Sequence, residues 1–256
     1  MLLVIDIGNT NLTLGVFDGN KIVHSWRLST QITRTEDEYG IFITNLLMQN
    51  NLTDKIKSAV ICSVVVQLTE RIEAALEKYL HIDSLTVSHK IKTNIVLKTD
   101  NISQIGADRI CNAAAVAELY DIPAIVVDFG TATTFDIVNQ NNEFIGGIIT
   151  AGMKLQAEAL GSKTSKLPKL NIEKSTNVIG HNTIDAMLSG IVRGHAAMIE
   201  GLISECEKEL GSKAVIIATG GYSSIISQYL NRKFDYINPD LTLIGAKVLF
   251  ELNKKI

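Results

Sequence analysis

A short apolar strand that ends in Asp-x-Gly occurs twice in this chain, each time followed by hydroxyl or amide residues. The first copy reads Val4-Ile5-Asp6-Ile7-Gly8-Asn9-Thr10-Asn11, and the second reads Val126-Val127-Asp128-Phe129-Gly130-Thr131-Ala132-Thr133. Aligned without a gap, the similarity continues through a second strand, a polar turn and a third strand. Each copy therefore predicts a three-stranded meander, and the repeat predicts two related domains that face each other across a cleft.

The residues of the two turns are typical of a phosphate site that includes a metal ion. Gly8 and Gly130 let the backbone approach a bulky anion, and the amides and hydroxyls that follow can donate to phosphate oxygens. Asp6 and Asp128 would repel a bare phosphate. The pattern therefore favours a cation between carboxylate and phosphate, as Mg²⁺ lies in metal-nucleotide sites.

A third element, residues 215–224, is an apolar strand that runs into Gly220-Gly221 and a helix start. We expect it on the adenosine side of the nucleotide. A single Asp-x-Gly match is more often a plain turn at the end of a strand, but two aligned copies and a Gly-Gly element favour the nucleotide site. The sequence contains neither the P-loop pattern nor the Gly-x-Gly-x-x-Gly pattern of dinucleotide-binding domains.

These motifs resemble the phosphate and adenosine motifs of the actin, Hsp70 and sugar kinase superfamily. Within it, three segments together resemble the type III pantothenate kinase family: Gly106-Ala107-Asp108-Arg109, Asp128-Phe129-Gly130-Thr131-Ala132 and Asn182-Thr183-Ile184-Asp185-Ala186. The resemblance extends over nearly the whole chain. In one departure, the family usually carries a Tyr, with a Pro after it, where this chain has Thr99 and Ile102.

The resemblance implies an α/β fold of two duplicated ribonuclease H-like domains, the actin-like ATPase fold, with an inter-domain cleft. It implies that a homodimer uses ATP to phosphorylate pantothenate to 4′-phosphopantothenate, the first step of coenzyme A biosynthesis. Asp108 would be the general base, and pantothenate would lie against Gly106, Ala107, Asp108, Arg109 and Thr183. ATP would be bound by Asp6, Ile7, Gly8, Asn9, Thr10, Asn11, Leu12, Thr13 and Thr131. Mg²⁺ would reach Asp6 through the phosphates, and Asp128 would help to hold a monovalent cation, K⁺ or NH₄⁺.

Asp108 and Thr183 have simpler interpretations when only their sequence neighbours are considered. Asp108-Arg109 is more typical of a helix N-terminal carboxylate beside a surface ion pair. Either Asn182 or Thr183 could cap the helix that follows, in addition to any contact with substrate. Two other functions stay open: a transcription-regulating protein like the Bvg accessory factor, and another small-molecule kinase or phosphatase of the superfamily. Retention of Asp108 and Asp128 argues against a purely regulatory protein.

Composition excludes other classes of function. The chain has 24 Lys and Arg against 27 Asp and Glu, without a basic run, so it lacks the electrostatic signature of nucleic-acid binding. The N-terminus reaches Asp6 without a basic segment, and no apolar stretch has membrane-spanning length, so we expect a cytoplasmic protein without a signal peptide. The cysteines (Cys62, Cys111 and Cys206) and the five histidines are scattered, and we expect reduced thiols and structural imidazoles.

The hydrophobic pattern divides the chain near residue 120. Domain 1–120 would carry the first phosphate motif and the pantothenate tetrad, and domain 121–256 the second phosphate motif and the adenosine motif. Strands are predicted within 2–28, 57–62 and 124–149. Helices are predicted over 36–48, 68–79, 111–119, 152–160, 183–209 and 241–252, with 89–104 crossing the surface and 161–177 forming a polar loop.

Overall fold

The computed structural model describes residues 1–254, which form two compact units. The first unit consists of Met1–Glu118 together with residues 241–254, and the second of Leu119–Asp240. Each unit is built on its own β-sheet, so the fold is mixed α/β as the sequence predicts.

The first unit is a five-stranded mixed sheet in the order β3-β2-β1-β4-β5. Its strands are β1 (Leu2–Ile7), β2 (Asn11–Asp18), β3 (Lys21–Ser29), β4 (Ser58–Ser63) and β5 (Ser84–Thr86), and a two-residue strand, β6 (Val96–Leu97), follows. β1 to β3 form the antiparallel meander, whereas β4 pairs with β1 in parallel. The helices are α1 (Glu36–Gln49), α2 (Val66–Leu80) and α3 (Ala107–Leu119), with 3-10 turns at Thr53–Lys55 and Ile102–Gln104.

Local sequence explains where these helices begin. Thr35 and Glu38 form a capping box in which each side chain binds the backbone N–H of the other, so α1 begins at the predicted residue. α3 begins at Ala107, four residues before the predicted helix 111–119. Its early start places Asp108 in the first helical turn.

The second unit repeats the meander and adds two parallel strands. Its strands are β7 (Ala124–Phe129), β8 (Ala132–Val138), β9 (Glu143–Ala151), β10 (Val215–Gly220) and β11 (Tyr236–Ile237), in the order β11-β10-β7-β8-β9. The helices are α4 (Met153–Lys163), α5 (Thr183–Leu188), α6 (Gly194–Leu210) and α7 (Ser223–Ile226). The single helix predicted over 183–209 is interrupted by a π-helical turn, Ser189–Arg193, between α5 and α6.

The hydrogen-bond register corrects the gapless alignment of the two meanders. Ile7 pairs with Leu12, which leaves residues 8–11 in the first turn, but Phe129 pairs with Thr133, which leaves only 130–132 in the second. The second turn is one residue shorter, and β8 matches β2 only after a shift of one position. With that shift the burial patterns of β2 and β8 coincide from the second residue of each strand onward. A slip of one residue exchanges the two faces of a strand, so burial reveals the register where residue identity does not.

The C-terminal helix, α8 (Leu241–Asn253), belongs to the first unit, whereas the hydrophobic pattern predicted it within the domain 121–256. Its buried Leu243, Ala246 and Leu249 pack in one cluster with Val4 of β1 and Val60 of β4. α1 and α2 cover the opposite face of that sheet. α8 therefore packs on the first sheet because it covers the apolar face that α1 and α2 leave open. Within residues 1–254, no helix combines the length and the hydropathy needed to cross a membrane.

Candidate functional site

The turn between β1 and β2 is fixed by the end of β3. Gly8 N donates to Asn11 O over 2.9 Å, Thr30 Oγ1 donates to Gly8 O over 2.6 Å, and Thr30 N donates to Thr10 O over 3.0 Å. A Cβ atom on Gly8 would lie 3.2 Å from Asn11 O, which is closer than ordinary van der Waals contact. The turn thus has one defined path, and only a residue without a side chain fits at Gly8 without a shift.

Along the predicted ATP-binding segment, Asp6 to Thr13, some residues could offer a ligand their side chains and others only their backbone groups. Ile7 and Leu12 are fully buried in the hydrophobic core, so only their backbone groups are available to a ligand. The side chains of Asn9 and Asn11 are exposed. The exposed amides beside a glycine turn are donors of the kind that phosphate oxygens accept.

Asp6 lies at the carboxyl end of β1, opposite Cys62 in the parallel register with β4. Burial raises the pKa of Asp6 to about 7, and the negative charge of Asp108 acts in the same direction. A hydrogen bond with Cys62 and the positive charge of Arg27 oppose this rise. Asp6 and Asp108 therefore lie within electrostatic reach of each other, and a bound cation would favour the ionised form of both.

The carboxylate of Asp108 is held in the first turn of α3 by the backbone N–H of the next residue. Its Oδ1 accepts a hydrogen bond from Arg109 N over 2.8 Å. Burial raises the pKa of Asp108, while the hydrogen bond from Arg109 N and the charge of the Arg109 guanidinium oppose the rise. A Cβ atom on Gly106 would lie 2.4 Å from Asp108 Oδ1, so the glycine of the tetrad leaves the space that the carboxylate occupies.

Two cysteines that stand in no sequence motif pack beside these carboxylates. Cys62 hydrogen-bonds with Cys111, and this bond together with burial raises the pKa of the Cys62 thiol. Cys111 follows Asp108 by one turn of α3. On its other side, Gly245 of α8 packs so closely that an added Cβ atom would lie 1.8 Å from Cys111 O. Only the strand register and helix packing reveal this arrangement, because the spacing of 62 and 111 in sequence carries no signal.

The second turn lies in the second unit and is held by the start of α4. Gly152 N donates to Thr131 O over 3.1 Å. A Cβ atom on Gly152 would lie 2.4 Å from Thr131 O and 2.6 Å from Gly130 O, so this glycine is required for the close approach. Gly130 and Thr131 are exposed at the tip, and Asp128 is half-buried at the end of β7.

The third motif meets the second within this unit. β10 pairs with β7 in parallel, so Thr219 lies opposite Asp128 and Gly220 opposite Phe129. Gly220 has φ +82°, in the left-handed region, and an added Cβ atom would lie 2.6 Å from Phe129 N and 2.7 Å from Asp128 Oδ1. The Gly-Gly element thus packs directly on the second Asp-x-Gly turn.

The two possible caps before α5 are resolved in favour of Asn182. Its Oδ1 accepts a hydrogen bond from Asp185 N over 2.9 Å. Thr183 is exposed at the first helical position, and its hydroxyl is not the capping group. The residue expected to contact substrate is therefore not needed to start the helix.

The carboxylates of these turns do not form a cage of protein ligands for a metal. Among residues 1–254, no three His, Cys, Asp or Glu side chains converge in a way that could hold a metal ion. Asp6 and Asp128 are each the next-to-last residue of a strand, in different units. This donor set fits a cation held chiefly by phosphate oxygens and water with one carboxylate, which is how Mg²⁺ is bound with nucleotides.

Comparison with known sequences identifies similar proteins along nearly the whole chain. The sequence model of a family described as type III pantothenate kinase matches residues 2–205. A type III pantothenate kinase from Bacillus cytotoxicus is 41% identical over 254 residues, which are 99% of this chain and 97% of that protein. The matched region includes Asp6, Asp108, Asp128 and Thr183.

Solved structures share the fold at low sequence identity. Component A of (R)-2-hydroxyglutaryl-CoA dehydratase from Acidaminococcus fermentans aligns with a TM-score of 0.55 and 15% identity over 99% of each chain. Ethanolamine utilization protein EutJ from Carboxydothermus hydrogenoformans aligns with a TM-score of 0.53 and 14% identity over 96% of this chain and 89% of that one. These likenesses show the fold alone, which is that of actin-like ATPases and sugar kinases.

Proposed function

Since the chain belongs to the type III pantothenate kinase family, we propose that it transfers the γ-phosphoryl group of ATP to the primary hydroxyl of pantothenate. The products are 4′-phosphopantothenate and ADP, and the reaction opens coenzyme A biosynthesis. One structural observation supports this most directly. Asp108, at the start of α3, lies within electrostatic reach of Asp6 at the end of β1, so an acceptor-side carboxylate and a phosphate-side carboxylate share one unit.

Asp108 has the properties of the general base. Burial raises the pKa of its carboxyl, and a carboxylate with a raised pKa is a better proton acceptor near neutral pH. In the proposed step Asp108 takes the proton of the pantothenate hydroxyl, the hydroxyl oxygen bonds to the γ-phosphorus, and the bond to the β–γ bridging oxygen breaks. The proton stays on Asp108 until product leaves.

The remaining residues of the tetrad would bind pantothenate. Arg109 carries a guanidinium that can hold the substrate carboxylate through two parallel hydrogen bonds. Gly106 and Ala107 would contribute backbone, and Thr183 its hydroxyl, which the Asn182 cap leaves to other partners.

The phosphates of ATP would lie on Asp6 to Thr13 and on Thr131. Mg²⁺ would neutralise phosphate charge when bound with the nucleotide, and Asp6 would help to orient it through the phosphates. Asp128 would help to hold K⁺ or NH₄⁺, and its Oδ1 lies so close to Gly220 that a Cβ atom there would be 2.7 Å away. The Gly-Gly element would contact the adenosine.

We extend the proposal to a cytoplasmic homodimer. Apolar side chains beside Thr183 support an interface, because Val178 is 69%, Ile179 75% and Ile184 49% exposed in the single chain. A sedimentation measurement that finds only monomer at micromolar concentration would contradict this part.

The transcription-regulating alternative is not favoured by the family match. The direct test measures ADP release with pantothenate and, separately, with glucose, glycerol, acetate and N-acetylglucosamine. We expect rapid release only with pantothenate and a product heavier by one phosphoryl group. Faster release with another acceptor, or none with pantothenate, would overturn the assignment.

A further inference from the structure

The buried imidazole of His195, on α6, contacts both ends of the second turn. His195 is only 2% exposed, and its Nε2 lies 3.0 Å from Thr133 Oγ1. Its ring also packs against that of Phe129, with 6.1 Å between centroids. Phe129 and Thr133 are the strand pair that closes the turn of residues 130–132. One side chain outside every predicted motif thus touches both residues from which the phosphate-binding turn projects.

The neighbours of His195 determine which ring nitrogen carries the proton. The amide nitrogen of Gln156 lies 3.1 Å from His195 Nδ1 and 2.8 Å from Ala151 O. An amide nitrogen can only donate, so Nδ1 accepts and is unprotonated. The proton of the neutral ring is therefore on Nε2, which donates it to Thr133 Oγ1. Burial lowers the pKa of His195 to about 4, so the neutral ring and this direction of donation persist at neutral pH.

Gln156 connects the imidazole to the other support of the turn. Gln156 lies on α4, and its N–H donates to Gly152 O over 3.0 Å. Gly152 N in turn donates to Thr131 O at the tip, and Ala151 pairs with Ala132. His195 therefore joins α6, α4 and the β7–β8 hairpin in one hydrogen-bonded network around the turn, which is buried at Thr133 and half-buried at Gln156.

An ordinary core residue would not serve at this position. A leucine would fill the volume, but the buried hydroxyl of Thr133 would lose a partner, and the half-buried amide of Gln156 would keep only its bond to Ala151 O. The network also requires that the buried imidazole stay neutral. The position of that network, at the closing pair of the turn, points to a role in the conformation of the turn.

We propose that His195 is a positioning residue that fixes the second phosphate-binding turn, Gly130 to Ala132, for the polyphosphate of a nucleoside triphosphate. It acts through Thr133 and Phe129 and does not touch the ligand. The inference rests on the proposed function only for the identity of the ligand.

The test measures the dissociation constant of Mg-ATP by titration calorimetry with the full chain and without pantothenate. His195→Leu is expected to bind Mg-ATP about tenfold more weakly, the ratio that corresponds to one lost hydrogen bond of ordinary strength. His195→Gln can place an amide N–H where Nε2 lies, and is expected to stay within about threefold of the wild type. Thr133→Val should weaken binding as His195→Leu does, and the double variant should be no weaker than either.

Glu207→Gln is the matched control for a general loss of stability. Glu207 is also buried on α6, and it binds Lys213, Arg232 and Ala214 N. It should lower the melting temperature but leave the affinity for Mg-ATP unchanged. All affinities are measured below the melting temperature of each variant, and Thr133→Val decides the matter if His195→Leu does not fold.

Three results would overturn the inference: unchanged affinity in folded His195→Leu or Thr133→Val, equal weakening in Glu207→Gln, or weakening in His195→Gln as large as in His195→Leu. Failure of the proposed function is recognised separately. A wild-type protein that binds Mg-ATP but does not phosphorylate pantothenate would contradict the kinase assignment, while the affinities of the variants would still decide the role of His195.

Discussion

The absent side chain of Gly106 makes room for the carboxylate of Asp108. A Cβ atom at position 106 would lie 2.4 Å from Asp108 Oδ1 and 3.6 Å from Val64 Cγ1. The same Oδ1 accepts the hydrogen bond from Arg109 N, so the carboxylate has little freedom to move aside. The glycine and the aspartate of the tetrad therefore act as one structural unit.

Gly106→Ala should displace the Asp108 carboxylate and lower kcat. A misplacement of about 1 Å can cost on the order of 10²-fold in rate, and we expect a loss of about 10- to 100-fold with a folded protein. The control is Gly201→Ala on α6, where an added Cβ atom meets nothing within 4 Å. That control should keep full activity and gain slightly in melting temperature, because alanine favours the helix. Wild-type kcat in Gly106→Ala would show that the contact is easily relieved.

Asp108→Asn should remove proton acceptance while keeping the shape of the side chain. We expect kcat to fall by roughly 10²–10⁴-fold, the usual contribution of a general base, while Mg-ATP and pantothenate still bind. Steady-state rates and titration calorimetry on the same preparation measure the two effects separately. A variant with near-normal turnover would assign Asp108 a structural role only.

The sequence predicted those parts of the fold that local pattern determines. The alternation of β1 to β3, the capped start of α1 and the repeated turns all depend on residues close in the chain, and the structure has them. The position of α8 depends instead on which apolar sheet face the other helices leave uncovered. No local signal in 241–252 specifies that face. The one-residue slip of β8 was hidden because apolar residues occupy adjacent positions on that strand.

The candidate site shows the same division. Asp6, Gly106, Asp108 and Gly220 stand in recognisable motifs, and the structure gives each glycine a physical reason for having no side chain or for its backbone angle. His195 and Cys62 stand in no motif. They reach the site through helix packing and strand register, which link positions that are distant in sequence.

The titration of His195 should make stability depend on pH. The pKa of His195 is about 4 in the fold and 6.5 in the unfolded chain, so between these values the unfolded chain binds more protons. Stability is therefore lost as the pH falls from 6.5 toward 4. His195→Gln lacks this proton, and the stability of the wild type relative to the variant should drop by about 2 kcal/mol between pH 7 and pH 4.5. Urea unfolding at several pH values measures the difference, and a constant difference would contradict the buried neutral imidazole.

Replacing K⁺ by Na⁺ should depress activity if Asp128 helps to hold a monovalent cation. The ionic strength must stay constant, because general screening would otherwise imitate a specific effect. Asp128→Ala should remove the difference between the two salts. Equal rates of the wild type in K⁺, NH₄⁺ and Na⁺ would contradict the proposed monovalent-cation site.

The two Asp-x-Gly turns should contribute to the same nucleotide, and valine at either glycine tests this. A Cβ atom would lie 3.2 Å from Asn11 O at Gly8 and 3.3 Å from Ala132 O at Gly130, so alanine needs a shift of only a few tenths of an ångström. The two methyl groups that valine carries beyond Cβ would block the approach of phosphate to the backbone. We expect both valine variants to lose at least about tenfold in Mg-ATP affinity, because each loses backbone hydrogen bonds to phosphate. Both should still bind pantothenate and keep a cooperative melting transition, and the two alanine variants should lose much less. A folded Gly130→Val protein that binds Mg-ATP normally would mean that the second turn only repeats the first in shape, and the nucleotide would then have to be placed on the first unit alone.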